Sequence, residues 1–482
     1  MNAFWETGIL LKLLLALVLI AVLGITPRIK AVDQEFEKAR ISQDAGATAH
    51  AYQHLEKAGQ FHFRRADLWE QAGLLALSSG EFHKAAELLA RAQSLGGLSP
   101  DGHLALGDAF YSSGNTPAAL TAWQQAPKSI QLYERLADIH RSQGDYASLA
   151  DDYLALLSLN PSDAHSYYQL GLLYAATRPE SASAYLEQAA AFNPDYKVAS
   201  RKIQQAIRTA GLMEEPAYNF LVVGRHLAVL GEWQLAAEAF YQAILARPDY
   251  AEAWAFLGEA RQHLSGTVFG STKDPNQIDP SLHDLQTALE LNPQSVLANM
   301  LMSVYLQRQG NLAGGLEYLL IASQYEPDNP VLQTQLGNCT AAMGDLIKAQ
   351  EYYQRAVELA PDEPTYWRIL AEFSIQHEVQ IRDLGLPAAR QAVILSPDDP
   401  LALDVLGQAL YFLEDFDNAE RFFKKALDEN PEYAAAHLHL GMNYLMKADA
   451  QNANLHLIQA SYLAPEGPLY EHAKRLLQRY FP

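Results

Sequence analysis

The sequence is short of cysteine and of basic residues. Its one cysteine is Cys339, which excludes an intramolecular disulfide and any metal site that needs several cysteines. Lys and Arg number 35 against 56 Asp and Glu, so the formal net charge is −21 at pH 7. A nucleic-acid surface needs clustered Lys and Arg, and this balance argues against one.

Catalytic signatures are also missing from the sequence. It contains no Walker A phosphate loop, no GxSxG nucleophile elbow, no HExxH or CxxC metal motif, and no GxGxxG after a strand-like run. No stretch shows the alternation that is typical of a β-strand. We therefore expect an all-α chain that is not an enzyme, with no cofactor, no small-molecule substrate and no nucleic-acid partner.

One long apolar run lies near the amino terminus. Residues 8–25 are apolar apart from Lys12, and the wider segment 4–26 is long enough for a membrane span of ~20 residues. No small-x-small cleavage site follows the run, which favours a retained anchor over a cleaved signal peptide. We expect a transmembrane helix at 4–26 and single-pass attachment to the cell membrane. Basic residues lie on both sides of the run, and we favour an extracytoplasmic body.

The rest of the chain repeats one pattern, which is clearest at residues 400–433. Two amphipathic helices joined by a tight turn are predicted there. Gly407 and Ala419 are small where the two helices would cross, while Phe423 supplies bulk that faces the partner helix. Pro431 marks the boundary to the next unit, because proline cannot continue a helix.

This pattern resembles the tetratricopeptide repeat (TPR), a 34-residue helix–turn–helix unit, and the chain resembles membrane-anchored bacterial TPR proteins. The resemblance covers nearly everything after residue 31. It implies an α-solenoid, a right-handed superhelix of helix–turn–helix repeats, behind the N-terminal transmembrane helix. Repeats start near residues 32, 66, 100, 130, 164, 217, 251, 296, 330, 364, 400 and 434.

Departures from the period divide the chain. We interpret 32–211 as a first repeat block that contains a lone connecting helix at 197–210, and 217–467 as a second block. Segment 265–280 is rich in Gly, Pro, Ser and Asp and predicts an inserted loop, which is either a binding loop or a surface decoration. Residues 468–482 predict a helix that caps the open end of the array.

Two smaller departures fall inside repeats. Pro127 interrupts the third repeat where its second helix would finish, so that repeat is short. The tenth repeat gains two residues within 377–387.

The resemblance also implies where partners bind. In TPR proteins the first helix of each repeat lines a concave groove, and the late repeats of this chain give that groove a mostly apolar lining. Such a lining suits an amphipathic helix or an extended peptide. The alternative is that the C-terminal helix folds over the patch. The predicted partner-binding residues are Leu297, Met300, Leu401, Asp404, Tyr411, Leu438, Met442 and Leu445.

Two functions are open at this point. The first is a membrane-anchored scaffold or adaptor that binds peptide or helical segments of protein partners, with the anchor raising the local concentration at the membrane. The second is a regulatory or substrate-selecting subunit of a membrane-bound glycosyltransferase or a cell-envelope assembly complex. Some anchored bacterial TPR adaptors of envelope assembly end in a module with paired CxxC motifs, which this chain lacks.

Overall fold

A computed structural model of the chain describes residues 30–264 and 279–481. Every regular element within these ranges is helical. The predicted membrane segment 4–26 and nearly all of the predicted loop 265–280 lie outside the described residues. No helix in the described part of the chain has both the length and the apolarity that crossing a membrane requires.

The chain divides into two compact units. The first contains the described residues up to Tyr174 together with Ser181–Arg201, and the second contains Ala175–Glu180 and the described residues from Lys202 onward. The division falls inside the helix Lys197–Gly211, which occupies the stretch that the sequence predicts as a connecting helix. The predicted block boundaries at 32–211 and 217–467 stay a prediction.

The first half of the chain folds into short helices of 13 to 15 residues, with one shorter exception. A single 3₁₀ turn, Pro194–Tyr196, precedes the last of them. In chain order they are α1 (30–44), α2 (Thr48–Phe61), α3 (Ala66–Ser78), α4 (Phe82–Ser94), α5 (Pro100–Ser112), α6 (Thr116–Trp123), α7 (Ile130–Gln143), α8 (Tyr146–Leu159), α9 (Ala164–Thr177), α10 (Pro179–Phe192) and α11 (Lys197–Gly211).

The second half continues in the same way. Its helices are α12 (Pro216–Val229), α13 (Trp233–Ala246), α14 (Ala251–Leu264), α15 (Pro280–Leu291), α16 (Val296–Arg308), α17 (Leu312–Tyr325), α18 (Pro330–Ala342), α19 (Leu346–Leu359), α20 (Pro364–Gln376), α21 (Leu386–Leu395), α22 (Pro400–Phe412), α23 (Phe416–Glu429), α24 (Ala434–Met446), α25 (Ala450–Leu463) and α26 (Gly467–Tyr480). Helix α26 lies in the segment that the sequence predicts as a capping helix.

The helix boundaries follow from local chemistry. The Asp399 side chain accepts a hydrogen bond from the Leu401 N–H at 3.0 Å, which satisfies a donor left free at the start of α22. Pro400 takes the first position of that helix, where its missing N–H has no intrahelical partner to lose. Between α18 and α19 the chain turns at Gly344, whose φ of 85° is a left-handed conformation that glycine adopts without strain.

Small residues let the two helices of a pair approach closely. A β-carbon added at Gly407 of α22 would lie 2.6 Å from both Cδ1 and Cε1 of Phe423 on α23. The Phe423 ring and Ala419 are fully buried at this crossing. At the same place in an earlier pair, a β-carbon at Gly337 would lie 2.7 Å from Cε1 of Tyr353. The glycine therefore provides the space that the aromatic ring fills.

The irregular repeats have visible causes. Helix α6 has only eight residues and ends at Trp123, before Pro127. The Trp123 indole is buried and its Nε1 donates to the Leu104 carbonyl at 3.1 Å, so the short helix still contributes to the core. In the tenth repeat the chain forms a π-helical turn at Ile381–Gly385, entered through Gln380 at a φ of 48°. This turn lies within the stretch that carries the two extra residues.

Candidate functional site

In the second unit, the first helices of successive pairs contact one another and form an inner layer. Helix α16 contacts α14 and α18, and α22 contacts α20 and α24. All eight residues that the sequence assigns to a binding groove lie on this layer. Leu297 and Met300 are on α16, three lie on α22, and three lie on α24.

The inner layer is only partly open to solvent. Leu401 at the start of α22 is 41% exposed. Leu297 and Met300 are half-buried, and they pack against apolar clusters that include Met302 and Leu332, respectively. Tyr411 is half-buried near the Phe416 ring, and this burial raises the pKa of its hydroxyl. Leu401 is thus the most accessible of the predicted contacts.

Leu438, Met442 and Leu445 lie beneath the C-terminal helix. Leu438 is only 5% exposed, and Met442 and Leu445 pack against the same buried cluster. Helix α26 completes that cluster with Leu469 and Leu476. Helix α26 therefore packs over this patch, as in the alternative; Leu438 is buried there, and Met442 and Leu445 are half-buried.

Asp404 also differs from its predicted position at the groove surface. It is 1% exposed, and its carboxylate oxygens lie 2.8 Å and 3.0 Å from Nδ1 of His439 on α24. Its Oδ2 also accepts a hydrogen bond from Gln408 at 2.9 Å. A buried carboxylate needs such partners, so Asp404 joins α22 to α24 in the core.

The open part of the inner layer carries one charged pair on α20. Arg368 donates a hydrogen bond to Glu372 one turn later. Burial nevertheless raises the pKa of Glu372, and Asp404 and Asp399 raise it further. The pKa of the Tyr433 hydroxyl is raised as well, by burial and by the charges of Asp404 and Glu372. A carboxylate in these surroundings is stabilised by any cation that approaches it.

Sequence analysis assigns no role to two histidines that the structure brings together. Nδ1 of His437 on α24 lies 2.9 Å from Nδ1 of His456 on α25, and the ring centroids are 5.1 Å apart. Nε2 of His437 lies 3.1 Å from the carbonyl oxygen of Pro431. The neighbouring His439 instead contacts Asp404, as described above. Nothing in the spacing along the chain indicates this contact, because it depends on how α24 and α25 pack.

The first unit holds polar contacts between helices, but none of the predicted site residues. Arg135 of α7 donates to both oxygens of Asp108 on α5, at 2.5 Å and 2.8 Å, and Trp123 Nε1 donates to Asp108 at 3.2 Å. His140 of α7 lies 2.5 Å from Asp152 of α8, whose pKa is raised by burial. These contacts join helices within the stack.

The arrangement offers little for metal or nucleophilic chemistry. Within residues 30–264 and 279–481, no group of three or more His, Cys, Asp or Glu side chains is placed to hold a metal ion. Cys339 is fully buried, and its thiol donates weakly to the Leu312 carbonyl at 3.4 Å. Burial raises the pKa of this thiol, which keeps it protonated and unreactive.

Comparisons with known proteins agree with the fold. Two family models described as tetratricopeptide repeat match the chain, one at residues 70–129, 382–434 and 405–460, and the other at 306–373. The chain is 25% identical over 210 residues to tetratricopeptide repeat protein 6 of Homo sapiens, a match that covers 42% of this chain and 37% of the relative. It is 21% identical over 259 residues to anaphase-promoting complex subunit CDC16 of Saccharomyces cerevisiae, covering 54% of this chain and 26% of the relative.

Solved structures are similar at lower identity. Yeast Tom70 is 14% identical, with 94% of this chain and 96% of that chain covered and a TM-score of 0.43. YrrB, described as a TPR protein with an unusual peptide-binding site, is 20% identical, with 40% of this chain and 97% of that chain covered and a TM-score of 0.31.

Each match to a curated relative covers only part of this chain and only part of the relative. The chain spans 37% and 26% of the length of the two curated relatives named above. The family models match three separate stretches that lie in both units of the fold. The helix pairs of the fold and these matches together show that this chain contains tetratricopeptide repeats.

Proposed function

We propose that this chain is a scaffold or adaptor that binds peptide or helical segments of protein partners on the inner layer of its second unit. The observation that carries the proposal is the part of this layer that α26 leaves uncovered. There, Val331 on α18 and Leu401 on α22 occupy the same repeat position and are 47% and 41% exposed. Helix α20, which lies between them in chain order, carries the Arg368–Glu372 pair.

This combination suits a segment with one apolar face and one charged side. Burying exposed apolar side chains against a partner contributes roughly 25 cal/mol of favourable binding free energy per Å² of apolar area, before the costs of binding are subtracted. The charged pair contributes chiefly to specificity and to the orientation of the partner. Glu372 favours a basic residue on the partner, since burial and the charges of Asp404 and Asp399 disfavour its ionised form even with Arg368 beside it.

The curated relatives support a binding role. Two of them are named as subunits of the anaphase-promoting complex, from Saccharomyces cerevisiae and Dictyostelium discoideum, and subunits of an assembly bind other proteins. We infer the same class of role for this chain, and its partner is a separate question for experiment.

The proposal is tested by capture of partners with the full-length chain. Leu401→Glu places a charge at the most exposed predicted contact, and we expect it to reduce crosslinked partner recovery at least about tenfold, equivalent to roughly 1.4 kcal/mol. Ile394→Glu is the matched control, because Ile394 is 68% exposed on the neighbouring helix α21, outside the inner layer. Equal recovery by wild type and both variants would overturn the proposal.

The choice of position matters for this experiment. A charge at Leu438 or Met442 would disrupt the packing of α26 and confuse unfolding with lost binding. Leu401 is accessible, so its variant is expected to keep the helical circular dichroism of the wild type. Glu372→Gln provides a second arm, in which weaker capture of the same partner with unchanged helicity supports the charged contact.

We also infer, from the sequence alone, that residues 4–26 attach the chain to the cell membrane as a single-pass anchor with an extracytoplasmic body. The apolar run and the missing cleavage site support this inference. The test compares the full chain with a chain that starts at residue 30, by membrane fractionation and by protease accessibility in intact cells. Equal release of both chains into the soluble fraction would contradict it.

The second function, a regulatory or substrate-selecting subunit of a membrane-bound glycosyltransferase or a cell-envelope assembly complex, stays a prediction. Co-purification of such an enzyme after gentle detergent extraction would support it. Loss of that enzyme with Leu401→Glu would place its contact on the inner layer of the second unit.

A further inference from the structure

We propose that the inner layer of the second unit binds an extended, polyproline II-like segment of a partner protein. A central Lys or Arg of the segment contacts Glu372, and its backbone contacts Asn338 and Gln408. The three side chains lie on α18, α20 and α22, each eight residues after the proline that begins its helix. The inference rests on the proposed binding role of the layer, and it adds two contact residues and the conformation of the bound segment.

Asn338 presents hydrogen-bond donors to the inner layer. It is exposed on α18, and its Oδ1 accepts a hydrogen bond from the Tyr353 hydroxyl at 2.7 Å. Burial raises the pKa of Tyr353 to about 12, so the hydroxyl keeps the proton that it donates. With its oxygen held in this way, the amide turns its NH₂ group away from Tyr353. No other described residue accepts a hydrogen bond from this NH₂ group, which can therefore donate to a backbone carbonyl of a bound segment.

Gln408 presents the opposite group. Its Nε2 donates to Oδ2 of Asp404 at 2.9 Å. A carboxylate can only accept, so the amide nitrogen must face Asp404 and the amide oxygen faces away from it. The contact of Asp404 with His439, at 2.8 Å, keeps the carboxylate in place. Gln408 therefore offers an acceptor for a backbone N–H of the same segment.

Glu372 lies between these two amides. On one side, the Phe373 ring next to it lies 4.9 Å from the Tyr353 ring, and besides burial the charge of Glu372 raises the pKa of Tyr353. On the other side, burial and then the charge of Asp404 raise the pKa of Glu372. Among the described residues only Arg368 donates a hydrogen bond to Glu372. A carboxylate has about four acceptor sites, so it can also bind a cation of the partner.

The spacing of the inner helices matches one partner conformation. Packed helices lie about 8–10 Å apart, and α20 contacts α22 directly. A polyproline II helix advances about 9 Å in each turn of three residues, and its backbone N–H and C=O groups are unbonded. Every third residue of such a segment thus meets the next inner helix. A bound α-helix instead uses its backbone groups internally and leaves the two amides nothing to bind.

Exposed side chains beside this polar row complete the surface. Val331, Thr365 and Leu401 each stand seven residues before the polar residue of the same helix, roughly 10 Å away along the helix axis. The three side chains in each polyproline II turn point in different directions. While the Lys or Arg contacts Glu372, a neighbouring apolar residue can therefore pack on Leu401 or Val331.

The test measures binding of defined peptide pools to the immobilised full-length chain. The first pool consists of capped nonapeptides with Lys at position 5, Pro at positions 3 and 7, and equal mixtures of Ser, Thr, Val and Leu elsewhere. Proline on both sides of the Lys excludes an α-helix and favours the polyproline II conformation. A second pool has norleucine in place of Lys, and a third has Ala in place of both prolines.

We expect the first pool to bind about tenfold more tightly than the norleucine pool, because only Lys pairs with Glu372. It should also bind at least as tightly as the alanine pool, because the bound conformation is favoured in advance. Equal binding of the Lys and norleucine pools would overturn the proposal. Tighter binding of the alanine pool than of the proline pool would overturn it as well.

Variants assign the contacts. Glu372→Gln should reduce the preference for Lys over norleucine to less than about twofold. Asn338→Leu and Gln408→Met should each weaken both pools about fivefold, because the backbone that they bind is common to the two pools. Gln451→Met, at an exposed position on α25, is the matched control and keeps wild-type binding. Wild-type binding by both amide variants, with unchanged helical circular dichroism, would contradict the proposal.

Failure of this inference differs from failure of the proposed function. If Leu401→Glu abolishes partner capture but none of the pools binds, the layer binds partners in another conformation and this inference alone is wrong. If wild type and Leu401→Glu recover partners equally, the proposed function is wrong and this inference is wrong with it.

Discussion

Replacing Gly407 by valine tests the close helix crossing in the clearest repeat. The added β-carbon would lie 2.6 Å from two ring carbons of Phe423, about 1 Å inside ordinary carbon–carbon contact. Phe423 is fully buried, so its ring must displace neighbouring side chains in order to move. Overpacking of this kind costs about 1–3 kcal/mol of stability. The higher helix propensity of valine relative to glycine offsets only a fraction of ~1 kcal/mol of that cost. We expect Gly407→Val to lose about 2 kcal/mol of unfolding free energy.

Urea unfolding and hydrogen exchange of peptides from 400–429 would measure this loss. Local exchange is needed because repeat arrays do not always unfold in a single step. Phe412→Val on the same helix is the control for valine in α22, since Phe412 is 44% exposed. Adding Phe423→Leu to Gly407→Val should recover at least about 1 kcal/mol, as residues in contact couple by this amount. A Gly407→Val chain as stable as wild type would refute the crossing as described.

Two further predictions concern the second unit. Leu438→Ala should lower the free energy of unfolding by about 2–5 kcal/mol, because Leu438 is buried beneath α26. Leu401→Ala should lower it by less than about 1 kcal/mol, because Leu401 is 41% exposed. Urea titrations measure both losses, and equal losses would contradict the difference in burial. Burial raises the pKa of Asp284 to about 6, despite its pairing with Arg261 at 2.7 Å. The folded chain therefore holds this proton more tightly than the unfolded chain, whose carboxyl has a pKa of 3.8. The resulting stability is fully present below pH 3.8 and is lost as the pH rises through 6. Asp284→Asn should therefore lose less stability than wild type between pH 4 and 7, and an identical pH dependence of the urea midpoint would contradict this.

The sequence predicts the repeats well because they are a local property. The spacing of Gly407, Ala419 and Phe423 reflects one helix crossing that recurs along the chain, and the structure shows those residues buried against one another. The prediction of an all-α repeat fold is confirmed within the described residues. The handedness of the superhelix and the anchor at 4–26 stay predictions.

The candidate site was harder to predict because exposure depends on neighbours far along the chain. Asp404 has the register of a groove residue, yet His439, in the next repeat, fixes its carboxylate in the core. Leu438 and Met442 have the same register, and α26 covers them. The sequence identified the inner layer, but it gave no measure of which parts of that layer stay open.

The packing pattern within the two units has a consequence for how the chain is made. In the described residues consecutive helices pack in pairs, and the layer contacts join a helix to the second helix along, as in α14 with α16 and α22 with α24. Contacts between helices that are near in sequence close only short stretches of chain, which costs little chain entropy. Folds built from such local contacts form quickly. During synthesis each repeat can thus fold soon after it emerges from the ribosome, before the next repeats are made. The repeat formed by α24 and α25 also needs α26, because without that helix Leu438 and Leu457 stay uncovered.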